Sequence, residues 1–248
     1  PDSLYFQPHG IFLDRDSQPQ KLYAISHEHD ESLHPVYVWA VHGDTLVFEE
    51  LVSSELLHSP NALTLGPNGE LFVVNDSGKR GSMIEKILKL KRANIVQLSR
   101  DTNGEWRGSI VADKLGYPAG INRIGDKLYV GDAIYHRLHV YRISSGQLNP
   151  LEPIKGLRGN DNIRVIDEKL YLTGHVKPFK FIRHVKSSEK ISPVEVWEVD
   201  PATREIKSLF YTDGTLISAG STAVVLNGKL YISQVFDPFI LSVPLNHY

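Results

Sequence analysis

The chain of 248 residues has no cysteine, and this removes disulfide staples, thiolate nucleophiles and cysteine-type zinc sites at once. Charge of one sign is also missing. Twenty-seven Lys and Arg stand against 29 Asp and Glu, for a net charge of -2, and the basic residues are scattered, so nothing points to nucleic acid. The basic run KILKLKR from Lys86 to Arg92 reads as a solvated face. No apolar stretch approaches the roughly 18 residues of a membrane span, so no transmembrane segment is expected. No targeting segment is visible, although the chain starts at Pro1 and not at Met.

What the chain does have is a repeat. Five segments share a pattern of a loop carrying Asn or Gly, an apolar strand, a turn, and a second strand built on Leu-Tyr or Leu-Phe. They start at Pro8, Pro60, Pro118, Asn160 and Ala219, and their aligned leucines are Leu22, Leu71, Leu128, Leu170 and Leu230. The spacing between these leucines runs from 42 to 60 residues, the range of propeller blades. An alternating third strand follows each unit, at Val36, Asn94, Arg137, Val194 and Phe239. A fourth, outer strand starts at Thr45, Trp106, Leu148 and Arg204, and the fifth unit has none. The pattern predicts a single all-β domain over 1–248, a β-propeller of about five four-stranded blades.

Loops at the start of the first strand of every blade carry PHG, PN, PAG, NDN and AGS. In a propeller these loops converge at one mouth of the central channel, the default place for a binding site. Two adjacent Asn and Asp pairs, Asn75 with Asp76 and Asp161 with Asn162, offer hard oxygen donors suited to calcium, which takes about 6 to 8 oxygens. The same residue types also build turns, and Asn75-Asp76-Ser77 fits a glycosylation sequon.

The motifs PHGI at Pro8, AISH at Ala24, PNALTLGPNGELFVVND at Pro60, GINRIGDKLYVGD at Gly120, HRLHVYRI at His136, DNIRV at Asp161 and GSTAVVLNGKLYISQVF at Gly220 occur in an order that resembles the paraoxonases. These are calcium-dependent lactonases and arylesterases, and the chain resembles more distantly the gluconolactonase (SMP-30) and strictosidine synthase-like propellers. The resemblance implies a six-bladed propeller whose first blade and closing strand lie ahead of PHGI, so the chain would cover about five of six blades. A closed five-bladed ring is the alternative. It implies a catalytic calcium on Asn75, Asp161 and Asn162, and a structural calcium on Asp76 and the backbone carbonyl of Ile11. His9 and His27 match the family's histidine dyad, with His9 as base and His27 orienting it, while His175 and Asn122 match substrate-binding positions at the mouth. The remaining histidines, His34 among them, carry no motif and are expected to serve packing or the surface.

The resemblance implies metal-assisted hydrolysis of a small lactone or ester by a histidine-activated water. Two departures bear on it. Ala119 stands where the family has a ligating Asn, and the family's acidic pair ahead of the first blade has no counterpart here. A non-catalytic propeller that binds a ligand or protein at the mouth, and a strictosidine synthase-like condensing enzyme using Asp132, are the alternative expectations. Self-association through an open blade edge is expected if the first blade is absent. A calcium site suits an extracytoplasmic setting, but compartment is not readable.

Overall fold

The computed structural model describes residues 6–27 and 34–245. Blade 1 is β1 (Pro8–Asp14), β2 (Lys21–Ser26), β3 (Val36–His42) and β4 (Thr45–Val52). Blade 2 is β5 (Pro60–Leu65), β6 (Leu71–Asn75), a short helix α1 (Met83–Ile87), β7 (Ala93–Arg100) and β8 (Trp106–Leu115). Blade 3 is β9 (Pro118–Ile124), β10 (Lys127–Asp132), β11 (Arg137–Ser144) and β12 (Gln147–Lys155). Blade 4 is β13 (Asn160–Ile166), β14 (Lys169–Gly174), α2 (Pro178–Lys186), β15 (Val194–Val199) and β16 (Ile206–Thr212). Blade 5 is β17 (Gly220–Leu226), β18 (Lys229–Gln234) and β19 (Leu241–Pro244). Each blade is an antiparallel meander whose strands pair in chain order, so the described residues form a β-propeller of five blades, with three described strands in the last.

Strand alternation explains how blades stack. In β6, Leu71 and Val73 join the core shared with blade 1, whereas Phe72 and Val74 join the core shared with blade 3. Blades covered on both faces need apolar residues at every position of the middle strands, and β6 is buried throughout. Further cores join blades 3 and 4 through Leu138, Leu172 and Trp197, and blades 4 and 5 through Val196, Leu230 and Ile232. Among the described residues these clusters lie between consecutive blades, and none joins blade 5 to blade 1.

The inner strands β1, β5, β9, β13 and β17 pack side by side. They approach so closely that a methyl group on Gly10 would lie 2.3 Å from the Asn61 carbonyl oxygen, and one on Gly120 would lie 2.4 Å from that of Asp161. Glycine at both positions is therefore a packing requirement.

Two elements went unread in the repeat. α1 starts inside the expected loop before KILKLKR, capped by the Ser82 side chain, which accepts from the Glu85 amide. The basic run is also not purely a solvated face, because the Lys86 ammonium lies 4.1 Å above the Tyr117 ring and Lys91 sits 4.9 Å above that of Tyr135.

Candidate functional site

Every inner hairpin slips register at its first residues. Pro60 pairs with Asn75 and Ala62 with Val74, so Asn61 is left over. Ala119 is skipped in the same way between Pro118 and Gly120, as is Ser221 between Gly220 and Thr222. In blade 1 His9 and Gly10 oppose one residue, and in blade 4 Asp161 and Asn162 do. A bulge leaves its extra residue unpaired and re-aims it. Here five bulges at one end of the ring deliver His9, Asn61, Ala119, Asp161, Asn162 and Ser221 to the wall of one cavity of about 620 Å³.

His9, in that wall, meets the buried His27. The His9 Nδ1 lies 2.7 Å from His27 Nε2, with the rings edge to face. His27 is buried, and its Nδ1 is 3.3 Å from Nδ1 of His34. So His34, given no role from sequence, is the third member of a histidine chain. Its place on the strand-to-strand connection before β3 carries no motif, which is why only the fold could show it.

Burial, then the neighbouring His9, Arg80 and His34, push the His27 pKa down to about 3. Burial also lowers that of His9, although the carboxylates of Asp161 and Asp76 oppose the shift. His9 remains open to the cavity while protein surrounds its ring. A histidine held neutral when folded, but titrating near 6.5 when unfolded, makes the unfolded state bind more protons between those two values. Stability therefore rises with pH across that window and is complete above about 6.5. The melting temperature is expected to fall as pH drops from 6.5 to 5, and His27→Gln is expected to lose a large part of that slope. An unchanged slope in the variant would show that His27 is not the buried neutral group.

The acidic side of the mouth is built from Asp161, Asp76 and their partners. Asp161 Oδ2 is 3.5 Å from His175 Nε2, and the His175 ring stacks on Phe181 of α2 at 3.9 Å. Asp76 accepts from the Ser77 hydroxyl at 2.6 Å and from the Asn61 amide at 3.4 Å. Tyr117, in the same wall, has its pKa raised well above the usual phenol range, by burial first and then by Asp76 and Asp161. Asn162 donates its amide to the Ser221 hydroxyl at 2.9 Å and carbonyl at 3.3 Å. In both Asn61 and Asn162 the amide nitrogen is thus engaged. Their side-chain oxygens have no hydrogen-bond partner among the described residues.

Other sequence-derived site residues lie elsewhere. Asn75 is fully buried, accepts from the Ser59 amide at 3.0 Å, and donates to the Leu56 carbonyl and to Asn94, both at 2.8 Å. It is a strut inside blade 2, away from the cavity wall and inaccessible to glycosylation, and Asn61 occupies the mouth position. Asn122 is likewise a strut: it donates to the Ile163 carbonyl at 3.2 Å and accepts from the Arg123 amide at 2.8 Å. Sequence could have found Asn61, because it holds the same place after proline as His9 and Ala119.

Asp132 is also structural. It is 1% exposed and receives the amides of Gly116, Tyr117 and Tyr135 together with His139 Nε2. Burial pushes its pKa up, and these hydrogen bonds more than reverse the effect. Asp132 does not line the cavity, so the condensing-enzyme alternative loses its acidic residue.

The residues present fit one calcium site better than two. Asp161 with the side-chain oxygens of Asn162 and Asn61 forms a hard, oxygen-only donor set of the kind calcium takes. At the expected second site, the Ile11 carbonyl accepts from the Arg164 guanidinium at 3.3 Å. A fixed cation already faces that oxygen, so the donor set of Asp76 and Ile11 does not fit a structural ion. Among the described residues no three His, Cys, Asp or Glu side chains cluster around one point.

Fold and mouth together define a β-propeller with a histidine pair set near carboxylates and amide oxygens at one end of its channel. Its sequence matches the Arylesterase family model over residues 1–241, and the chain belongs to that family. Rat serum paraoxonase/arylesterase 1 is 26% identical over 250 residues, covering 95% of this chain and 68% of the relative. Human serum paraoxonase/lactonase 3 is 25% identical over 248 residues, with the same coverage. Among solved structures, a protein of unknown function from Desulfotomaculum acetoxidans matches with TM-score 0.59 at 11% identity, over 96% of this chain and 68% of the other. A putative 6-phosphogluconolactonase from Bacteroides uniformis matches with TM-score 0.55 at 13% identity, over 95% and 80%. Both structural likenesses speak to the fold alone.

Proposed function

We propose that the protein is a calcium-dependent hydrolase of lactones or aryl esters, in which His9 activates the attacking water. Family membership supports a hydrolase of the esterase and lactonase class. The finer reading rests chiefly on one observation: the bulges bring a 2.7 Å histidine pair and an oxygen-only donor set to the same cavity. Asp161, Asn162 and Asn61 would hold the ion. When bound, it would supply Lewis-acid polarisation of the ester carbonyl and charge stabilisation for the developing oxyanion.

The mechanism uses one of the two proton arrangements that the histidine chain allows. His9 Nδ1 donates to His27 Nε2, which requires His27 to carry its proton on Nδ1 and donate to His34. This leaves Nε2 of His9 as the basic nitrogen on the open side. It takes a proton from water as the oxygen adds to the carbonyl carbon, and returns it to the leaving alkoxide when the acyl–oxygen bond breaks. His27, held neutral by burial, cannot compete for that proton. Asp161 and Asp76 favour the imidazolium form that His9 passes through. Tyr117, kept protonated, turns its proton to Asp76.

Hydrolysis of phenyl acetate or an aliphatic lactone is expected to stop on chelation and return with calcium. Calcium at about 100 times its dissociation constant is expected to stabilise the fold by about 2.7 kcal/mol through mass action, a gain lost in Asp161→Ala. Full activity in chelator would overturn the metal reading, and absence of hydrolysis in the calcium-loaded protein would overturn the hydrolase reading.

A further inference from the structure

Arg164 lies on β13 two residues beyond Asn162, and its side chain joins the wall of the same cavity. Successive same-side residues on a strand stand about 6 to 7 Å apart, so the guanidinium occupies the next layer of the channel past the proposed donor set. There it makes one hydrogen bond, from Nη1 to the Ile11 carbonyl at 3.3 Å. A guanidinium has five N–H donors, and among the described residues no other protein acceptor meets them. No carboxylate pairs with Arg164 within ion-pair distance among those residues. The acid in the cavity wall, Asp161, faces His175.

Holding a cation at a partly buried wall without a counter-charge is costly, and Arg100 shows what a satisfied guanidinium looks like. Arg100 binds both oxygens of Glu50 at 2.7 and 2.6 Å. A second unpaired donor belongs to the same wall. The Gln234 Nε2 on β18 is buried without an acceptor, while its Oε1 accepts from the Phe236 amide. Blades 4 and 5 therefore present a guanidinium and an amide N–H to the cavity, and among the described residues neither has a carboxylate partner.

We propose that the substrate is itself anionic: a lactone or ester bearing a carboxylate, which Arg164 receives while the scissile carbonyl lies at Asp161 and Asn162. The planar fork of arginine matches a carboxylate bidentately. The spacing of one strand step suits a compact substrate with the carboxylate a few bonds from the ester. This inference rests on the hydrolase reading for the ester half of the substrate, but the anion subsite can be measured without turnover.

The test compares 4-acetoxybenzoate with phenyl acetate, which differ by the carboxylate, in the full calcium-loaded chain. The ratio of their kcat/KM values is expected to fall about 10- to 100-fold in Arg164→Met, in keeping with loss of a charge-assisted pair. Arg164→Lys is expected to keep part of the ratio, since the charge remains and the fork is lost, and it serves if the methionine variant does not fold. A ratio that stays within about twofold of the wild type in both variants overturns the proposal. Calorimetry with 4-hydroxybenzoate and phenol gives the independent readout. Preferential binding of the carboxylate by the wild type, lost in the variants, supports the subsite even if no ester is hydrolysed, in which case the hydrolase reading fails alone. Equal binding of the two phenols by the wild type overturns the subsite while leaving hydrolysis of neutral esters intact.

Discussion

His9→Gln is expected to lower kcat/KM for lactone or aryl ester hydrolysis by about 10²- to 10⁴-fold, the usual contribution of a positioned general base. The argument is geometric first. His9 sits on a bulge of β1 in the cavity wall, and its Nδ1 meets His27 at 2.7 Å, which leaves its other nitrogen for the substrate. Glutamine can keep a hydrogen bond to His27 but has no nitrogen that accepts a proton near neutral pH. The side chain is exposed to the cavity and outside the hydrophobic clusters, so the melting temperature is expected to change little. His27→Gln should lose less activity and shift the pH profile, because His27 acts through the tautomer of His9. Full turnover in a folded, calcium-loaded His9→Gln protein would remove His9 from the mechanism.

The second large effect concerns stability. Asp132→Ala is expected to destabilise the fold by about 3 to 5 kcal/mol, the range for leaving buried partners of a carboxylate unpaired. Three backbone amides, those of Gly116, Tyr117 and Tyr135, point at this side chain together with His139. All four would be stranded in a site that is 1% exposed to solvent. For a chain of this length that corresponds to a melting-point loss on the order of 10 °C. Asp126→Ala is the contrast. Its pair with Arg142 at 3.3 Å is more than half exposed on both sides, and such pairs contribute about 1 kcal/mol or less. Equal melting points for the two variants would show that the Asp132 network does not hold the β9 entry loop.

Blade architecture was readable because it depends on local pattern. The expected third strands at Val36, Arg137 and Val194 and the outer strands at Thr45 and Trp106 begin where β3, β11, β15, β4 and β8 begin. Period-two alternation and turn residues suffice for that. The two helices were not legible for the same reason: five residues in α1 and nine in α2 are too few for a periodic signal. Within the mouth, residue type misled at Asn75. An Asn-Asp pair is the same in sequence whether it faces a channel or braces a blade. Only the pairing of Pro60 with Asn75 tells that the side chain turns inward to Ser59, Leu56 and Asn94.

By itself the sequence determined the propeller, its five units, the family, and the mouth loops that carry His9, Asp161 and Asn162. These follow from spacing and from motifs a few residues long. The tertiary structure alone decided that Asn75 braces blade 2, that His34 extends the histidine pair, and that Arg164 meets the Ile11 carbonyl. Arg164 and Ile11 are 153 residues apart in the chain. Contacts of that kind arise only when bulged inner strands from different blades are brought around one channel, and no local pattern records them.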